Sequence, residues 1–107
     1  MAREIQWHLP LAKAGDVIVL RLVIERGSVI DFALHYQASF DGDELTVLRY
    51  DTCDGHLHVH RMWLDPPNDR VTLETARSAD YTEAVEAAKE DVLANWKSYR
   101  AKMELSR

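Results

Sequence analysis

The sequence predicts an α+β fold: a four-stranded antiparallel meander sheet, five-stranded if an edge strand precedes it, with one long C-terminal helix packed on one face. Three observations carry this. From Val17 to about Leu64 apolar residues alternate with polar ones, the period of half-buried strands. Turn signals, Arg26-Gly27-Ser28 and Asp41-Gly42, punctuate that zone. From Asp80 onward the apolar residues recur at threes and fours, the period of a helix with one buried stripe. A chain of 107 residues and 12.3 kDa has room for one core, so residues 1–107 read as a single domain: sheet 17–64, linker 65–79, helix 80–103.

The elements follow in order. A short edge strand is expected around Ile5–Leu9. Val17–Glu25 is β-branched and apolar, with Ile18, Leu20, Leu22 and Ile24 on one face and Arg21 and Glu25 on the other. Ile30, Phe32, Leu34 and Tyr36 form the apolar side of a second strand, with Asp31, His35 and Gln37 behind them. The Asp41-Gly42 pair suits a tight reversal, because glycine accepts positive φ without steric cost. Leu45–Asp51 and His56–Leu64 are the next two strands, joined by Thr52-Cys53-Asp54-Gly55. Pro66-Pro67 should end the sheet, since proline cannot donate to a ladder. In the helix, Asp80 and Glu83 resemble a capping box. Val85, Ala88, Val92, Trp96, Tyr99 and Met103 share the buried stripe, while Glu83, Glu86, Glu90, Lys97 and Arg100 should face water.

Composition limits the functions on offer. Hydrophobic residues make up 47% and charged residues 29% of the chain, which is ordinary for a globular domain. The net charge of −5 has the wrong sign for a protein living on non-specific phosphate contacts, although a local basic patch is compatible with it. One cysteine, Cys53, excludes an intrachain disulfide and a Cys-only zinc site, which suits a reducing, cytoplasmic setting. The apolar run Val17–Ile24 is too short to span a bilayer and carries Arg21, so no membrane partner is expected.

The chemistry concentrates in Arg49-Tyr50-Asp51-Thr52-Cys53-Asp54-Gly55-His56-Leu57-His58-Val59-His60-Arg61. Alternate residues of a strand share a face, so His56, His58 and His60 line up while Leu57 and Val59 point away. A four-residue loop Thr52–Gly55 would set Asp51 opposite His56, Arg49 opposite His58 and Val47 opposite His60. That register also sets Tyr50 against Leu57 and Leu48 against Val59, matching apolar with apolar. His35 reaches toward the same patch from the second strand. Imidazoles give and take protons near neutral pH, and Asp51 would orient one of them. Arg49 or Arg61 would neutralise a phosphate. The set His56, His58, His60, Arg49 and Asp51 therefore suits metal-independent phosphodiester cleavage, with no cofactor.

Other readings of the same residues stay open. A divalent transition metal such as zinc could be held by His56, His58 and His60, with Asp51, Asp54 or Cys53 as a further ligand. A flat strand spreads residues i and i+4 by about 13 Å, so adjacent pairs fit one ion better than all three. A histidine strand is also compatible with a plain exposed surface on a non-catalytic, homodimeric interaction module. Trp63, Trp96, Tyr50 and Tyr99 read as core or dimer-contact aromatics, with Trp7 and His8 open between roles.

Arg49-Tyr50-Asp51, then Gly55-His56, His58 and His60, with a sheet before and a helix after, resemble the small prokaryotic proteins grouped around the TumE-type toxins of toxin–antitoxin pairs. The likeness covers residues 17–64 and the helix in outline. It implies a toxin-like component acting on RNA and neutralised by a protein antitoxin, with Arg49, Asp51, His56, His58 and His60 as the matching polar residues.

Overall fold

The computed structural model describes residues 1–13, 15–52, 55–73 and 80–107. Its elements are β1 (Arg3–Pro10), β2 (Val17–Glu25), β3 (Ser28–Phe40), β4 (Asp43–Asp51), β5 (His58–Arg61), β6 (Arg70–Thr72) and α1 (Thr82–Ser106). The strands form one antiparallel meander in chain order, β1-β2-β3-β4-β5-β6. The α+β class and the single C-terminal helix agree with the sequence reading, but the sheet has six strands rather than four or five. It begins at Arg3, ahead of the expected boundary at 17. It also resumes inside the expected 65–79 linker: the chain turns through residues 65–69 and returns as β6.

Two-residue turns drive the longest hairpins. Arg26 and Gly27 (φ 53° and 80°) join β2 to β3, and Asp41 and Gly42 (φ 52° and 89°) join β3 to β4. Paired positive φ values match the right-handed twist of the strands they connect. Two register shifts, at Val23/Ile24 and Tyr36/Gln37, each set an extra residue into one strand. The first reverses an expectation. Ile30 is left 38% exposed, and Val29 takes its place in the core. At the second, Val47 and Leu48 are consecutive and both buried, so Val47 does not face His60.

Helix α1 lies across β3 and β4 on one side of the sheet. Val85, Ala88 and Val92 are buried against Phe32, Leu34, Tyr36, Val47 and Leu48, as the stripe predicts. Trp96 meets Tyr36 edge-on and Trp63 stacks on Tyr99 at 5.4 Å between ring centres. The helix runs 82–106 rather than 80–103, and its first turn differs from a capping box. Tyr81 occupies the N-cap without a side-chain cap bond. Asp80 Oδ1 instead accepts from Thr82 N (2.9 Å) and Thr82 Oγ1 (2.5 Å), and also from Val29 N (3.3 Å). The Thr82 bonds hold the Asp80 carboxyl below its ordinary pKa.

Arg100, expected to face water, is folded back. Its Nη1 lies 3.5 Å from the fully buried Asp16 carboxylate, and its Nη2 donates to Ser39 O at 2.9 Å. Asp16 also accepts from Tyr36 Oη at 2.7 Å and Ser39 N at 3.3 Å. A polar knot thus ties α1 to β3. Among the described residues no helix packs on the opposite side of the sheet, and that side carries the histidines. No helix among the described residues is long and apolar enough to cross a membrane.

Candidate functional site

The β4–β5 pairing is Asp51 with His58, Tyr50 with Val59, Arg49 with His60 and Leu48 with Arg61. This is the expected register displaced by two residues, with a six-residue connection, Thr52–Leu57, in place of four. A slip of two preserves which side each residue faces. His58 and His60 therefore still share the open face with Arg49 and Asp51, while Leu57 and Val59 are buried. The opposite partners change: Arg49 meets His60 rather than His58, and Asp51 meets His58 rather than His56. Two members of the connecting loop, Cys53 and Asp54, lie outside the described residues, as does any role for them as ligands.

Across the sheet the pairings build two rows on the open face. One runs His8, Val19, His35, Arg49, His60, Arg70 from β1 to β6. Its neighbour runs Gln6, Arg21, Ala33, Asp51, His58, Thr72. Over the centre of both lies a cleft of about 580 Å³, lined by residues that include Arg21, Asp31, His35, Arg49, Asp51, His60 and Arg70. Three guanidinium groups against two carboxylates give this cleft a positive balance in a chain whose net charge is −5.

Asp51 organises the middle. Its Oδ2 lies 2.9 Å from Arg49 Nε and 3.5 Å from His60 Nε2. His60 Nδ1 is 3.9 Å from Asp69 Oδ2, so the imidazole sits between two carboxylates. Its pKa is nevertheless lowered: burial disfavours the cation, Arg49 and Arg70 oppose it, and Asp51 and Asp69 recover only part of that. His35 is lowered for the same reasons, burial first and then Arg49. In the cleft wall, Thr52 Oγ1 donates to Asp31 and accepts from Phe32 N at 3.1 Å, while Thr52 N donates to Phe32 O at 3.2 Å and extends the β3–β4 pairing past Asp51.

His58 is placed differently. Only 3% exposed, it has Arg70 Nη2 at 2.8 Å from Nε2 and Thr72 Oγ1 at 3.1 Å from Nδ1. A guanidinium can only donate, so the ring accepts from Arg70, at Nε2 from Nη2 or at Nδ1 from Nε, which lies 3.4 Å away. Both ring nitrogens of His58 are occupied within the protein. His56 precedes β5, its ring 6.4 Å from that of His58, and its buried Nδ1 has no partner among the described residues. It does not line the cleft.

The three histidines follow one another at 6.4 Å between ring centres and do not converge. Among the described residues no group of three or more His, Cys, Asp or Glu is placed to hold a metal ion. Arg61 also leaves the site: it falls on the helix side of β5 by alternation, with Nη2 donating to Asn68 O at 2.6 Å. Arg21 and Arg70 line the cleft in its stead. Arg21, on the polar face of β2, was visible as a charged interruption of an apolar strand. Arg70 follows the proline pair in what reads as linker and carries no such signal.

The chain matches a family described as a domain of unknown function, DUF7718, over residues 3–106. It belongs to that family, and the match spans the whole sheet and the helix. No curated protein matches the chain, and no solved structure does.

Proposed function

We propose that the open-face cleft binds a phosphodiester of RNA and cleaves it by imidazole acid–base chemistry, in the manner of a toxin-like ribonuclease working in the cytoplasm. The observation that carries the reading is the row His35, Arg49, His60 on three neighbouring strands. Strands lie about 4.8 Å apart, so the two imidazoles flank one guanidinium at a separation of about 10 Å between their backbones. An anion held by Arg49 would have a proton carrier on each side. RNA suits such a set because its own 2′-hydroxyl supplies the nucleophile. One histidine takes the 2′-hydroxyl proton as the 2′-oxygen bonds to phosphorus. The other donates a proton to the departing 5′-oxygen, leaving a 2′,3′-cyclic phosphate and a 5′-hydroxyl. Arg49, with Arg21 and Arg70 at the cleft margins, offsets the charge that builds on the phosphoryl oxygens. Asp51 orients His60.

This reading moves the proton roles from His56 and His58 to His60 and His35, because the nitrogens of His58 are engaged by Arg70 and Thr72. A protein antitoxin, which the resemblance to TumE-type toxins implies, would neutralise the chain by covering the cleft. The test is incubation of the purified chain with a mixed-sequence RNA, beside His35→Gln and His60→Gln. Cleavage by the parent with a loss of at least about 100-fold in each variant supports the proposal. An inert parent that is folded and free of partner overturns it.

A second reading, the non-catalytic homodimer, is favoured by β1. This edge strand leaves Trp7 and Leu9 50% and 42% exposed. An antiparallel two-fold pairing of two β1 strands about Gln6 would set Ile5 of one copy opposite Trp7 of the other, and Glu4 opposite His8. That arrangement matches apolar with apolar and acid with imidazole. A sedimentation-derived mass that rises with concentration, and that Trp7→Glu abolishes, supports it; a monomer at all concentrations removes it.

A further inference from the structure

Beside the main cleft, on the same face, lies a second hollow of about 260 Å³ lined by Gln6, Val19, Arg21, Ala33, His35 and Gln37. We propose that this hollow is a nucleobase subsite, so that the face recognises a nucleotide rather than a bare phosphate. The inference rests on the phosphodiester reading of the adjoining cleft. Arg21, Ala33 and His35 line both spaces, and no other strand intervenes between them.

The lining fits a base in three respects. Val19 and Ala33 are short and apolar, which keeps the floor low enough for a flat ring to lie over it. His35 and Arg21 form the shared wall, and both are planar groups of the kind on which bases stack. Gln6 stands opposite Arg21 at the β1 side, and Gln37 follows His35 by two residues along β3. Each primary amide offers a donor and an acceptor to the edge of a base, whose own edge alternates the two. A purely apolar ligand would leave both amides unmatched, and a simple inorganic anion would leave this hollow unfilled. A phosphate over Arg49 with a base beyond His35 is the geometry of one nucleotide. The two spaces together have the dimensions of ordinary small-molecule sites, about 300–1,000 Å³.

The experiment compares inorganic phosphate with a panel of 3′- and 5′-nucleoside monophosphates by calorimetric titration at low salt. The parent chain is measured beside Gln6→Ala, Gln37→Ala and the pair, each checked for an unchanged melting temperature. At least one nucleotide should bind tenfold or more tightly than phosphate. The paired substitution should erase that gain while leaving phosphate affinity within about twofold. Equal binding of phosphate and every nucleotide overturns the subsite and leaves the anion-binding cleft standing. A nucleotide preference that survives both glutamine substitutions also overturns it, since the base would then lie elsewhere. Absence of binding by phosphate and nucleotides alike overturns the cleft reading itself, and the subsite with it.

Discussion

Replacing Arg100 by methionine should cost the fold about 3 kcal/mol, and the figure can be worked from the polar knot it completes. Asp16 has a side chain with 0% exposure, and Arg100 is 15% exposed, so solvent screening is slight. Breaking a buried ion pair by removing one partner costs about 3–5 kcal/mol, because the remaining charge stays buried. Asp16 keeps Tyr36 Oη at 2.7 Å and Ser39 N at 3.3 Å, which places the expectation at the lower end. The lost bond to Ser39 O and the lost stacking of the guanidinium 4.3 Å over the Phe40 ring each add up to about 1 kcal/mol. Methionine recovers part of this by filling the volume of the arginine stem. Asp16→Asn removes the charge and should cost less, about 1–2 kcal/mol, since Arg100 can then turn toward solvent. Urea unfolding reads these differences. With a slope of about 1–3 kcal/mol/M, Arg100→Met should lower the midpoint by about 1–3 M. The double variant should show a coupling of about 2 kcal/mol. A loss below about 0.5 kcal/mol at unchanged slope would refute the view that this knot fastens α1 to β3.

Further expectations concern the open face. His60 and His35 have folded pKa values below the ordinary 6.5, so the unfolded chain takes up their protons first as pH falls. Their contribution is complete above about pH 6.5 and is lost progressively below it. His60→Gln should therefore lose less stability than the parent between pH 7 and 5, measured by urea midpoints; an equal or greater loss contradicts the assignment. In Asp51→Asn a charge that favours protonated His60 disappears, so the His60 titration followed by NMR should move still lower, and an upward move would contradict the arrangement. For catalysis, two lowered imidazoles predict a bell-shaped rate profile with its maximum on the acidic side of 6.5.

Much of the architecture was legible because alternation is a strong signal. Ile18, Leu20 and Leu22 on β2, and Phe32, Leu34 and Tyr36 on β3, are buried where the pattern puts them. The stripe Val85, Ala88, Val92 likewise points into the sheet. The patch of Arg49, Asp51, His58 and His60 was legible for the same reason, since any even-numbered displacement keeps the same face. The displacement itself was not readable, because apolar matching favours the expected register: in the observed one Val59 keeps an apolar partner, Tyr50, but Leu48 meets Arg61 and Leu57 falls in the connection. Bulges broke the count at Ile30 and Val47, where an extra residue reverses which neighbour is buried. Strand β6 has only three residues, Arg70–Thr72, too few to show a period, and with it went the sight of Arg70. The Asp16–Arg100 pair was hidden for another reason. Charged residues read as surface, and a partner 84 positions away along the chain leaves no local trace.

The central claim, that His35, Arg49 and His60 use the substrate's own 2′-hydroxyl, is tested most directly with one oligonucleotide. It would be a DNA strand carrying a single ribonucleotide, incubated with the purified chain and analysed by mass spectrometry, beside the same strand with deoxyribose at that position. Scission at the ribonucleotide alone, leaving a 2′,3′-cyclic phosphate and a 5′-hydroxyl and vanishing in His60→Gln but not in His8→Gln, is the predicted result. An intact ribonucleotide strand, cleavage of both strands, or scission unchanged in His60→Gln would contradict the account.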